Sequence, residues 1–262
     1  MAGPGGAIVA RLSCYLLTHN SAKRLEEVLA SLSGVADEIV VVDSGSSDRT
    51  LEIAAAFDAR ILERPMDSFS AQRAFAVSNC QHAWVLSVDS DEVLSTELAA
   101  RIMALKEANF EHPSKPDAYA IKRRWFIMGR EVHCFYPSHC PDFPIRLFLK
   151  EKALYSTDRK VHENMHGFSK AVRIDEPILH YSCDSIDAMY AKVNLYTSLA
   201  ASDHRTRFGV PSLISIAIMP FAIAAKWYFL GRGWKDGYVG LIHARYVADS
   251  VYLKLAKARF AA

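Results

Sequence analysis

The sequence predicts an α/β chain: a mostly parallel, doubly wound sheet first, then a loop-rich segment, then an apolar and basic helical C-terminal region. Three observations predict it. Short apolar runs alternate with helix-period segments through the first 110 residues. The runs Ile8–Leu17, Glu38–Val42 and Ala83–Val88 are near-continuous rather than alternating, as in strands buried on both faces. After residue 205 the chain turns strongly apolar and then basic.

Each element has a local reason. Leu25, Val28, Leu29 and Leu32 repeat on one helical face after Asn20 or Ser21, either of which suits an N-cap, and Gly34 ends that helix. Helices are expected over Thr50–Phe57, Ser70–Ser78 and Leu94–Ala108, the last capped by Ser95, with a short strand at Ala59–Leu62. Beyond Pro113, Ala118–Phe126 and Phe143–Leu149 read as strands around a segment rich in proline and aromatic residues. The domain reading is therefore 1–112, 113–205 and 206–262.

Bulk properties exclude several classes. Apolar residues make up 51% and charged residues 23%, enough for a sizeable core. A formal net charge of +2 gives no case for binding a nucleic acid polymer. The five cysteines read as buried or incidental thiols, and His133, Cys134, His139 and Cys140 match no standard zinc spacing. The N-terminus lacks the pattern of a secretory signal, so the expected location is the cytoplasm. Val210–Leu230 is long enough to span a bilayer, but Pro211 and Pro220 suit a broken helix lying at the interface. From Lys226 onward, seven Lys/Arg stand against two Asp, a balance attracted to an anionic inner leaflet.

In a parallel α/β sheet, ligands bind beyond the C-terminal strand ends. Thr18-His19-Asn20, the Asp43–Asp48 turn beginning Asp43-Ser44-Gly45, and Asp89-Ser90-Asp91-Glu92 all fall at such ends. Clustered carboxylates there need solvent or a cation, and a hard Mg2+ or Mn2+ shared with pyrophosphate oxygens neutralises both sides. Asp91 is the expected metal ligand, with Asp89 positioning the donor or a coordinated water. The Asp43 carboxylate suits the imide N–H of uracil. Neither the dinucleotide Gly-x-Gly-x-x-Gly fingerprint nor the Walker phosphate loop is present.

With these segments in order, the chain resembles inverting family 2 glycosyltransferases, and within them the lipopolysaccharide core β-glucosyltransferase branch. Further segments carry the resemblance: Gln72-Arg73, Pro141-Asp142, Arg146-Leu147-Phe148, Val161-His162-Glu163 and Asp236-Gly237-Tyr238-Val239-Gly240. Cys140 stands where the branch commonly has an aromatic residue before Pro-Asp. The resemblance implies a GT-A nucleotide-sugar-binding fold and a UDP-sugar donor, held by Thr18, Asn20, Asp43, Ser44, Gln72, Arg73 and Asp89. Arg146 is suited either to phosphate or to pairing with Asp142. Asp91 and His162 would serve the metal, and Glu163 the base that activates the acceptor hydroxyl, with Asp142 second in line. The acceptor would be the lipopolysaccharide core or another lipid-linked glycan, at the cytoplasmic face of the inner membrane. Another UDP-hexose on a polysaccharide acceptor, or nucleotidyl transfer, are the alternative activities.

Overall fold

The structure is a computed structural model; it describes residues 9–133, 135–138, 140–155 and 165–260. His162 and Glu163 lie outside the described residues, as do Cys134 and His139.

The chain begins with β1 (Leu12–Thr18), α1 (Ala22–Leu32), β2 (Glu38–Asp43), α2 (Thr50–Ala56), β3 (Arg60–Glu63), α3 (Phe69–Asn79) and β4 (Trp84–Ser87). Next come β5 (Glu92–Leu94), α4 (Thr96–Glu107), β6 (Ala118–Ile127), β7 (Arg130–Val132) and β8 (Ile145–Leu149). The short strands β9 (Leu154–Tyr155) and β10 (Met165–His166) pair with each other and precede the long β11 (Ala171–Cys183). Three long helices complete the chain: α5 (Ile186–Phe208), α6 (Leu213–Leu230) and α7 (Gly237–Phe260).

The chain divides into two compact units. The first holds residues up to Arg123 together with Phe143–Asp158 and Glu163–Leu179; the second holds Arg124–Asp142, Arg159–His162 and His180–Ala262.

The main sheet runs β3-β2-β1-β4-β8-β6-β11-β5, with β7 on β6. Strands β3, β2, β1 and β4 are parallel. Beyond β4 the pairings to β8 and from β8 to β6 are antiparallel, so the expected parallel sheet is parallel in its first half and mixed beyond. The parallel half is the part that lines up strand ends: Thr18 pairs with Asp43, and Asp43 with Glu63. Its strands are apolar throughout because helices cover both faces, and Leu12, Leu16, Val40, Val41, Val85 and Leu86 are fully buried. The predicted face of α1 is also fully buried, and each of its four aliphatic side chains contributes roughly 1.5–3 kcal/mol by leaving water.

Several local expectations need correction. Ser21 occupies the α1 N-cap position but makes no side-chain capping bond. Its place is taken by Asp48, whose Oδ2 accepts the Ala22 N–H at 3.1 Å from a different loop. The segment after Asp91 is a buried strand, β5, rather than a turn leading directly into the helix. The Ser95 cap of α4 is present, accepting Leu98 N–H at 3.1 Å.

In the second unit, Trp125, Ile127, Phe135, Met189, Val193, Trp227 and Val247 form a core of their own. α6 is continuous through Pro220, which is buried, where the two prolines had suggested a broken helix. A single proline removes one helical N–H and crowds the carbonyl a turn earlier, which a helix held on its buried face tolerates. Cys14, Cys80 and Cys183 are free buried thiols as expected, but Cys140 is disulfide-bonded.

Candidate active site

The parallel register sets Thr18 and Asp43 side by side at the strand ends. Thr18 Oγ1 donates to Asp43 Oδ1 at 2.7 Å, and Ser46 Oγ donates to the same oxygen at 2.6 Å. Asp43 Oδ2 accepts the Gly45 and Ser46 N–H groups at 2.9 and 2.7 Å. Burial alone would push this carboxyl up, but the bonds from Ser46, Thr18 and Gly45 outweigh it and hold Asp43 below the usual carboxylate range. Its four acceptor positions are thus filled within the turn, with Gly45 at φ +89°. An imide N–H reaching Asp43 competes with one of these donors, and the hydroxyls of Thr18 and Ser46 are the rotatable ones.

Asn20 ties the first strand end to the second. Its N–H donates to Ser46 Oγ at 2.8 Å and its Oδ1 accepts Ser47 N–H at 2.9 Å. Ser44 N–H donates to Thr18 O at 3.0 Å. The backbone of Asn20 is left-handed, φ +50°, a conformation that asparagine tolerates better than most side chains. Ser21 Oγ donates to Ser90 Oγ at 3.0 Å, which brings in the third segment. The three motifs, spread over more than 70 residues of sequence, therefore share one rim of the first unit.

Behind Ser90 lies a charge network. Arg73 Nη2 reaches Asp89 Oδ1 at 2.8 Å, and Arg146 Nη2 reaches Asp89 Oδ2 at 2.5 Å and Glu92 Oε1 at 2.6 Å. Arg123 Nε lies 3.5 Å from the same Glu92 oxygen. Glu92 is fully buried and its Oε2 accepts Asp89 N–H at 3.1 Å, which fixes the turn. Burial works against the charge of Arg146, and Asp89 and Glu92 more than offset it, so this guanidinium is held above its ordinary value. The guanidiniums of Arg73, Arg123 and Arg146 thus gather around Asp89 and Glu92. Arg146 Nε is buried without a partner among the described residues.

The network places Arg146, Gln72 and Arg73 among partners the sequence did not indicate. Arg146 is paired with Asp89 and Glu92. Gln72 and Arg73 are not a solvated helix surface: Gln72 is buried, its Nε2 donating to Arg64 O and Pro65 O at 3.1 and 2.8 Å, and Arg73 crosses to Asp89. Ser87 adds a support, accepting from Arg73 Nη1 at 3.0 Å and donating to the Tyr15 hydroxyl at 2.9 Å.

The donor set suits a hard cation. Asp89 has both oxygens bonded to guanidiniums, and Asp91 is half-buried two residues on. One carboxylate joined by substrate phosphate oxygens is a normal Mg2+ arrangement. Asp142 is half-buried and belongs to the second unit.

The sequence reading missed Glu92 and Arg123 as members of the network, and Asp48 as the α1 cap. Glu92 carried a signal, since it opens the short apolar run Glu92-Val93-Leu94. Arg123 and Asp48 carried none, because their partners come from distant segments.

Comparisons with known proteins agree with this architecture. Residues 13–169, more than half of the chain, match the family described as Glycosyl transferase family 2. An uncharacterized glycosyltransferase of Rickettsia bellii is 30% identical over 265 residues, covering 96% of this chain and 87% of that protein. The lipopolysaccharide core biosynthesis glycosyltransferase LpsC of Rhizobium meliloti is 27% identical over 254 residues, covering 94% and 91%. Among solved structures, the 1–349 fragment of Staphylococcus aureus TarS in complex with UDP-GlcNAc superposes with a TM-score of 0.50 at 16% identity, over 95% of this chain and 92% of that one. The strand-end rim, the parallel half-sheet and these likenesses lead to one conclusion: the chain belongs to glycosyl transferase family 2 and has the GT-A fold.

Proposed function

We propose that the protein transfers a hexose from a UDP-hexose to a hydroxyl of a lipid-linked or polysaccharide acceptor, with inversion, at a membrane surface. The observation that carries this reading is the rim where Thr18, Asn20, Asp43 and Ser90 are joined by hydrogen bonds in front of the Arg73–Asp89–Arg146–Glu92 network. A nucleoside diphosphate needs polar groups for its base and ribose and positive charge for its phosphates, and the strand-end side chains with Arg73 and Arg146 behind them support this reading.

Asp43 and Ser46 receive the uracil edge, with Thr18, Asn20 and Ser44 shaping the recess. Arg73 and Arg146 hold Asp89 rigid and bias the site toward the diphosphate. Asp91 is the metal ligand, with His162 beside it in the proposal. Asp91 and His162 would hold Mg2+ or Mn2+ there, and such an ion would supply positive charge to offset the negative charge developing on the departing diphosphate. Glu163 takes the proton from the acceptor hydroxyl as that oxygen attacks from the opposite face, which inverts the anomeric centre in one displacement. Asp142 is the second candidate for this base.

The acceptor reading rests on the C-terminal region and one relative. Among the described residues, α6 is long and apolar enough to cross a membrane, with a mean hydropathy of 1.8 and 11% of it buried. LpsC is named for lipopolysaccharide core biosynthesis. Glucose transfer from UDP-glucose to an inner-core sugar is the narrower form of the proposal.

The test is UDP release by the purified protein from UDP-glucose, UDP-galactose and UDP-GlcNAc, with Mg2+, Mn2+ or chelator, and with a de-acylated core oligosaccharide lacking its outer sugars. Chelator-sensitive release stimulated by acceptor, with a gain of one hexose in acceptor mass, is the expected result. No release from any UDP-sugar, by folded protein with competent acceptors, overturns the donor class.

A further inference from the structure

The second unit contains a cavity of about 900 Å³, walled by His133, Tyr136, Lys226, Trp227, Leu230 and Arg232 among others. That lies within the range of roughly 300–1,000 Å³ typical of small-molecule sites. Its chemistry is divided. The α6 side offers Trp227 and Leu230, while Lys226 and Arg232 put two permanent cations on the wall. Trp227 is more than nine-tenths buried, and its Nε1 has no hydrogen-bond partner among the described residues.

The wall is built rather than incidental. His133, on the cavity wall, is held by Asp236, whose Oδ1 lies 3.0 Å from its backbone N and 2.8 Å from its Nδ1. That contact also fixes the His133 ring. Arg232 is held at φ +60°, between two close approaches. A Cβ on Gly233 would come within 2.4 Å of the Trp227 ring, and one on Gly240 within 1.9 Å of Gly233 O.

The cavity adjoins an apolar surface. Along α6, Ile214, Ile218, Phe221 and Phe229 are exposed at spacings that put them on one stripe, and Leu213 and Leu230 are exposed at the helix ends. A water-soluble helix carries polar residues on such a stripe, and here Lys226 is the charged residue within it.

We infer that this cavity binds the phosphate headgroup of an anionic lipid, whose hydrocarbon lies along the exposed stripe of α6. Lys226 and Arg232 balance the phosphate charge. The occupant is argued from charge complementarity and from the continuity of the cationic wall with the apolar stripe. The inference rests on the membrane placement proposed above and adds a headgroup-specific site to it.

The test is co-flotation of the full chain with vesicles of phosphatidylcholine alone or with added phosphatidylglycerol, comparing wild type with the Lys226→Gln/Arg232→Gln pair. The expected result is wild-type binding that rises with phosphatidylglycerol and falls about tenfold in the pair, since each basic residue near an anionic surface contributes attraction of that order. Millimolar inorganic phosphate or glycerol 3-phosphate should not release the protein. Equal binding by wild type and the pair overturns the headgroup site while leaving the membrane placement standing. Failure of wild type to bind either vesicle overturns both, and release by free phosphate reassigns the cavity to a soluble anion. Where the pair fails to fold, Lys226→Gln alone, on exposed helix surface, is expected to weaken binding about threefold, and no change then overturns the inference. UDP release onto a soluble acceptor is read separately and is expected to be unchanged in both variants, so failure of the glycosyltransferase reading is told apart from failure of this one.

Discussion

Arg146 Nη2 lies 2.6 Å from Glu92 Oε1, and Glu92 is fully buried. The pair joins β8 to β5, two strands that are not neighbours in the sheet, and through Asp89 it sets the geometry of the turn that carries Asp91. Removing one member of a buried pair leaves the other uncompensated. Arg146→Met should therefore cost about 3 kcal/mol of stability, and it should also weaken binding of UDP-sugar. Urea unfolding and donor titration on the same protein check both effects, and a variant with wild-type stability would remove the network from the account.

The base and the metal ligand are separable in kinetics. Glu163→Gln should lower kcat by about 100-fold or more while leaving donor affinity near wild type, because a general base acts mainly in the transition state. Asp91→Asn should instead raise the metal concentration needed for half-maximal rate. Should Asp142→Asn show the large kcat loss and Glu163→Gln a small one, the two carboxylates exchange roles.

Acid should destabilise the protein in two windows. Burial lowers His243 to about 3, well below its unfolded value near 6.5. The unfolded chain therefore takes up a proton that the folded chain refuses, so stability falls as pH drops below about 6.5, by about 1.4 kcal/mol per unit. In Glu38, Asp43 and Asp117, burial pushes the carboxyl up, and hydrogen bonds from Gln81, Ser46 and Ser169 respectively are among those that outweigh it. Their contribution is complete above about pH 4.5 and is lost as pH falls through the lowered values. His243→Phe, packed among Phe135, Trp227 and Tyr246, should flatten the first window only. Unfolding midpoints from pH 7 to pH 4 measure the slope.

Gly240→Ala should damage the second unit selectively. The added Cβ meets backbone oxygen at Gly233, which cannot swing away as a long side chain would. A loss of about 2–3 kcal/mol is expected from such overpacking, read as faster proteolysis near α6 and α7. Unchanged proteolysis would show that the turn between these helices shifts freely.

Much of the first unit was legible in the residues because its signals are local. The continuous apolar runs marked β1, β2 and β4, and the period of Leu25, Val28, Leu29 and Leu32 marked the buried face of α1. The expected grouping of the Thr18, Asp43 and Asp89 segments followed from strand-end topology alone. The long strand β11 and helix α5 were not anticipated. Proline within the strand and a helix polar around much of its surface leave weak periodicity.

By itself, the sequence marked the strand ends and the residue types that gather there, because hydrophobic period and turn chemistry act over a few residues. Only the tertiary structure decided what those residues do with one another. It turned Asp89 into the clasp between Arg73 and Arg146, filled every acceptor position of Asp43 inside its own turn, capped α1 with Asp48 from another loop, and carried α6 unbroken through Pro220. The bonds of Arg146 to Asp89, of Ala22 to Asp48 and of Thr18 to Asp43 join residues far apart in sequence. Hydrogen bonds and ion pairs are set by distances of about 3 Å, and spacing along the chain carries no such information.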